Sequence, residues 1–255
     1  MAERETGKPG PRALFASVVA ACLIVALGVT LSAAAGARAE ATTKGAALLE
    51  GPAATPAGAG IARPPTKWDP ISYGKDRKRQ MAGYSKRHYG KREWRLRKPR
   101  AVVLHYTAGS TYASAWSTFD ANTPSLGERP GVCAQFVVDR DGTIYQLTRL
   151  GVRCRHTIGL NHVSLGIEMV QPDLGNPHRT AQAILDRKRQ ARSAVRLAAW
   201  IKSRYGIRMS NVIGHGMAND SPLFEDKQGW RNDHTDWLPP EVRTFRKRIS
   251  KALHR

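Results

Sequence analysis

Val102-Val103-Leu104-His105-Tyr106-Thr107-Ala108 decides how this chain is read. Three apolar residues run into a histidine, an aromatic, a hydroxyl and a small residue. That is the pattern of a short buried strand ending at a turn. Such a strand is stiff, so a polar group at its C-terminal end is held at the rim of a sheet. His105 stands there. By itself it reads more readily as a satisfied core histidine than as a ligand. A second run, Asn211-Val212-Ile213-Gly214-His215, repeats the apolar strand ending in histidine, and the polar cluster Arg231-Asn232-Asp233-His234-Thr235-Asp236-Trp237 follows. Two histidines at strand ends and a nearby carboxylate are the donors of a catalytic zinc site: three nitrogen or oxygen ligands, with the fourth position left for water.

Outward from these runs the chain is periodic between residues 100 and 255. Tyr112, Ala115, Trp116 and Phe119 repeat at helical spacing within Thr111–Asn122. Val132–Val138 and Thr143–Leu147 are two strands around the turn Asp139-Arg140-Asp141-Gly142. Val163–Val170 reads as a further strand. Ala181–Tyr205 reads as one long helix, closed by Gly206. A last helix starts at Pro239-Pro240 and buries Val242, Phe245 and Ile249. Strands alternating with helices give an α/β fold, a mixed central β-sheet flanked by helices.

The 255 residues suit one globular domain with appendages. Residues 1–12 are polar, with Arg4, Lys8 and Arg12. Ala13 to Leu31 carries no charge, and Ala37-Arg38-Ala39 follows, the pattern of a secretory signal peptide over residues 1–39. The apolar run also borders on the length that spans a bilayer, so a retained anchor through residues 13–35 is the alternative. Either reading exports the rest of the chain to the cell wall, periplasm or exterior. Cys22 is followed by apolar residues where a lipoprotein would have a polar tether. Residues 40–66, rich in Ala, Gly, Pro and Thr, read as a linker. Residues 67–99 read as a basic arm with interleaved aromatics.

The formal charge is +21, and residues 63–100 concentrate it, with 14 Lys/Arg against 3 Asp/Glu. A field of that sign attracts polyanions. Export rules out nucleic acid, which leaves anionic wall polymers or a membrane surface as partners of residues 67–100. Cys133 and Cys154 lack the setting of a thiol nucleophile and are candidates for a disulfide outside the cytoplasm.

Five segments in order resemble the zinc-dependent N-acetylmuramoyl-L-alanine amidases of the type 2 family: "VVLHYTAG" at 102–109, "AQFVVDRDGTIYQL" at 134–147, "HTIGLNHVSLGIEMV" at 156–170, "VIGH" at 212–215 and, more weakly, "HTDW" at 234–237. Phage lysozyme-type amidases and animal peptidoglycan recognition proteins share that family. The resemblance covers about the C-terminal 60% of the chain. It implies hydrolysis of the amide between N-acetylmuramic acid and L-alanine, with peptidoglycan (glycan strand and stem peptide) as partner and Zn2+ as cofactor. It makes His105 and His215 zinc ligands and Asp236 the third. Trp237 replaces the proline that usually follows that ligand, and the gap from His215 is long, so His234 and Asp233 stay open as alternatives. Glu168 matches the catalytic glutamate, whose carboxylate takes the proton of an attacking water and returns it to the leaving nitrogen. Read bare, Glu168 is also a charge on an exposed edge strand, although Ile167 and Met169 beside it should face the other way. His234 stands where relatives carry an oxyanion-stabilising lysine. His156 and Asn161 match substrate-contacting positions, and Gln135 stands where many relatives have histidine. Two other classes compete. A non-catalytic peptidoglycan-binding module of the same fold would have lost a ligand. A wall-tethering protein would keep its wall affinity without residues 100–255.

Overall fold

The computed structural model describes residues 61–254. A six-stranded sheet runs in the order β1-β4-β3-β5-β2-β6. Its strands are β1 Lys67–Trp68, β2 Ala101–Ala108, β3 Phe136–Val138, β4 Ile144–Gln146, β5 Ser164–Pro172 and β6 Val212–Gly214. Only β3 and β4 pair antiparallel, joined by the Asp139–Gly142 turn; every other pairing is parallel. The sheet is therefore mixed, as the sequence pattern implies. The helices are α1 Lys75–Tyr89, α2 Tyr112–Asp120, α3 Pro177–Asp186, α4 Lys188–Tyr205 and α5 Pro239–Leu253. Among the described residues no helix is long and apolar enough to cross a membrane.

Strand periodicity divides the core into two layers. Leu104, Phe136, Val138, Leu165, Ile167 and Met169 pack against α3, α4 and α5, whose buried Val242, Phe245 and Ile249 are those expected. Val137 and Val170 face the other way, with Ala115 and Phe119 of α2. His105 lies one residue past Leu104 and Glu168 one past Ile167, so both project from the face opposite α4. They are also direct partners across β2 and β5. β5 lies between β3 and β2, which removes the exposed edge-strand reading of Glu168.

Three expectations need correction. The long helix Ala181–Tyr205 is two helices, broken at Arg187. The first starts earlier, with Asn176 as N-cap and Pro177 in the first turn. At the break, buried Gln190 donates to the carbonyls of Val138 and Val170, which ties the start of α4 to the ends of β3 and β5. The strand expected from Val132 is only Phe136–Val138. Ahead of it, Cys133 is tied to Cys154 by a disulfide and its N–H donates to the Arg155 carbonyl.

The third correction concerns residues 67–99, which are not an appended arm. β1 pairs with β4, and α1 buries Met81, Tyr84 and Tyr89 in a cluster that Trp94 joins. Leu96 enters the main core. Buried Arg77 donates to the carbonyls of Phe119 and Val132 at 2.7 and 3.1 Å, so its charge serves packing. The end of the expected linker also packs: Ile61 lies against the core and Arg63 donates to Gln146. The expected signal or anchor, and residues 40–60 of the linker, lie outside the described residues.

Candidate functional site

The C-terminal end of β2 delivers His105, and His215 follows β6 directly. Asp236 returns to them at the end of a long loop. That loop is braced by side-chain amides. Asn219 donates to the Asn232 carbonyl and accepts from the Asn232 N–H, and Asn232 donates to the carbonyls of His215 and His234. The Gly216 N–H donates to the Asp236 carbonyl at 2.8 Å. Trp237 has a left-handed backbone (φ 57°), and its indole N–H donates to the His105 carbonyl at 3.2 Å. A side chain at Gly214 would overlap the Trp237 carbonyl, so only glycine lets the loop cross here. The residue in place of the expected proline is thus a fully buried post behind the site.

The three donor atoms form a small triangle. His105 Nδ1 and His215 Nδ1 are 3.0 Å apart, and they lie 3.3 and 3.0 Å from the Asp236 carboxylate oxygens. Tetrahedral zinc with bonds near 2.0–2.1 Å sets its ligand atoms about 3.3 Å apart. Asp236 Oδ1 is buried without a hydrogen bond despite its closeness to His215. Two imidazole nitrogens and a carboxylate turned toward one point, with an unsatisfied oxygen among them, fit a divalent metal. Asp233 does not join them; its side chain is 89% exposed. His234 is also outside the trio, its ring stacked on His215 at 4.4 Å between centroids.

The protonation pattern suits metal binding. Burial, then His215, pushes His105 down to about 4. Burial opposes ionisation of Asp236, but His215 and His105 hold its carboxyl well below the usual range. Burial and His215 lower His234. His105 Nε2 meets His156 Nδ1 at 3.1 Å, and His156 Nε2 meets Ser164 Oγ at 3.3 Å. The Ser164 hydroxyl donates to the Leu160 carbonyl at 2.7 Å, so its oxygen is free to accept from His156 Nε2–H. His156 Nδ1 is then bare, accepts from His105 Nε2–H, and leaves His105 Nδ1 free as a ligand. The sequence gives no sign of Ser164 in this role.

Glu168 borders the same pocket, buried, with Oε2 lacking a partner. Burial, with Asp236 nearby, raises it from 4.5 to about 8. Without metal, the folded protein therefore holds a proton that the unfolded chain releases, and stability falls as pH rises from 4.5 through 8. In chelator, Glu168→Gln removes that loss. Its melting temperature should exceed the parent's by roughly 2 °C or more at pH 8 and approach it at pH 5. An equal difference at both pH values would refute the assignment.

The pocket has a volume of about 670 Å³ and extends from the trio past Thr107, Thr118 and Val132 to Asp173. His156 and His234 both line it. Asn161 does not, which corrects its expected substrate contact. It is fully buried, accepts from the N–H groups of His156 and Thr157, and donates to the Tyr89 hydroxyl. It shapes the turn that carries His156. Arg155, which sequence reading missed, pins another wall by donating to the carbonyls of Ser125, Glu128 and Pro130.

The family model described as N-acetylmuramoyl-L-alanine amidase matches residues 95–237, which include the trio and Glu168. No curated protein matches the chain. Among solved structures, the chain is similar to the catalytic domain of XlyA, with 17% identity and TM-score 0.45, covering 72% of this chain and 99% of that one. It is similar to a mutant endolysin from Bacillus subtilis, with 17% identity and TM-score 0.42, covering 72% and 98%. It is also similar to the Staphylococcus aureus hydrolase AmiA in complex with its ligand, with 13% identity and TM-score 0.49, covering 76% and 87%.

Proposed function

Because the chain belongs to the N-acetylmuramoyl-L-alanine amidase family, we propose that it is an exported zinc enzyme cleaving the amide between N-acetylmuramic acid and the L-alanine of the stem peptide. One observation carries the reading: His105, His215 and Asp236 meet within 3.0–3.3 Å in the pocket that Glu168 borders. Zinc held there supplies Lewis acidity and activates water near neutral pH. Glu168 takes the proton of the attacking water and delivers it to the departing alanine nitrogen. His234, neutral at pH 7, donates an N–H to the carbonyl oxygen as negative charge builds on it. His156 acts behind His105, fixing its tautomer. The binding-module alternative gains nothing here, because all three donors are present. Export rests on the charge and hydropathy pattern of residues 1–39.

The test is metal analysis of the purified protein together with muropeptide digestion before and after chelation. The expected result is about one zinc per chain and release of stem peptides with a free L-alanine amine, lost in chelator and restored by zinc. Undiminished release in chelator would end the zinc reading. Ser164→Ala frees the His156 tautomer and should weaken zinc affinity about 10-fold or more in chelator competition, with Ser164→Thr recovering most of it. Unchanged affinity in Ser164→Ala would remove the serine from this role.

A further inference from the structure

Helices α4 and α5, packed together on the face away from the catalytic pocket, carry eleven Lys/Arg and one acid, Glu241. Five of these cations line one groove of about 950 Å³: Lys188, Arg192 and Arg196 at four-residue intervals on α4, with Arg248 and Lys251 on α5. The groove's one acid, Asp186, accepts a hydrogen bond from Gln182. Among the described residues, Lys188, Arg192, Arg196 and Lys251 form no ion pair. Like charges four apart on a helix weaken it, so folding does not explain the stripe. The floor is apolar, built from Leu185, Val195 and Ile61. The groove shares no residue with the catalytic pocket.

We propose that this groove docks the protein on an anionic phospholipid surface, headgroup phosphates meeting the cationic rim and glycerol carbons the apolar floor. Charge complementarity selects an anion, and the apolar floor selects an amphiphile over a purely polar polymer. The inference rests on the proposed export and is independent of the proposed chemistry.

The test measures binding of the full chain to vesicles of equal parts phosphatidylglycerol and phosphatidylcholine, and to vesicles of phosphatidylcholine alone. The full chain should prefer the anionic vesicles at least about tenfold, and salt should abolish the preference. The triple variant Arg192→Glu, Arg196→Glu, Lys251→Glu should bind both within about twofold while keeping parental muropeptide hydrolysis in solution. Equal charge reversal on and just after α1, Lys75→Glu, Lys86→Glu, Lys91→Glu, should keep the preference. Should the first triple not fold, its glutamine counterpart should lose most of the preference. The proposal is overturned if the full chain shows no preference, if both reversals lose it alike, or if the groove variants retain it. It is also overturned if soluble poly(glycerol phosphate) displaces the protein from vesicles at equal phosphate, which would make the partner a polymer. Loss of hydrolysis in the parent protein would instead count against the proposed chemistry.

Discussion

Asp236→Ala should leave the purified protein without zinc and lower kcat/KM at least about 10³-fold, beyond the 10–100-fold typical of losing a partner one shell out. Removing the carboxylate leaves two imidazoles facing each other at 3.0 Å with no anion to complete the triangle. Neither flanking candidate can take over. Asp233 points to solvent, and His234 is committed to stacking on His215. Asp236→Cys is the informative companion, since a thiolate is a zinc donor with a bond only slightly longer, near 2.3 Å. It should retain zinc and measurable activity. Metal content and muropeptide kinetics on the same preparations decide the matter. Stoichiometric zinc with normal turnover in Asp236→Ala would require a different third ligand.

Glu168→Gln should behave in the opposite way toward metal. The exchange keeps shape and removes only the ability to shuttle a proton, so zinc content should stay near parental while kcat falls by roughly 10²–10⁴. KM should move little, because the exchange preserves the shape of a buried side chain beside His105. Turnover within a few-fold of the parent would mean that another group carries the proton.

The two histidine strands and the glutamate strand were legible because each is a short apolar run with a polar residue at a fixed phase. Period-two geometry then places His105 and Glu168 side by side on one face. The third donor was harder. Asp236 is brought in by a long loop whose order comes from Asn219 and Asn232, a pairing that no local periodicity encodes. Ser164 escaped notice, and Asn161 was assigned to substrate instead of to the turn it braces, because their roles depend on contacts made only after folding. Residues 67–99 misled for a compositional reason. Their apolar members are mostly aromatic and lie among cations, so the segment scores as solvated although Tyr84 and Met81 are fully buried.

The placement of α1 bears on how this catalytic unit can be moved. The family match opens at residue 95, yet Met81, Tyr84 and Tyr89 are interior to the fold, and the Tyr89 hydroxyl meets the asparagine that shapes the His156 turn. A graft cut at the homology border would leave a raw seam of unfilled hydrophobic sockets beneath that turn. Any exchange of this hydrolase between proteins, by recombination or by a designer, has to carry its upstream thirty-odd residues as cargo.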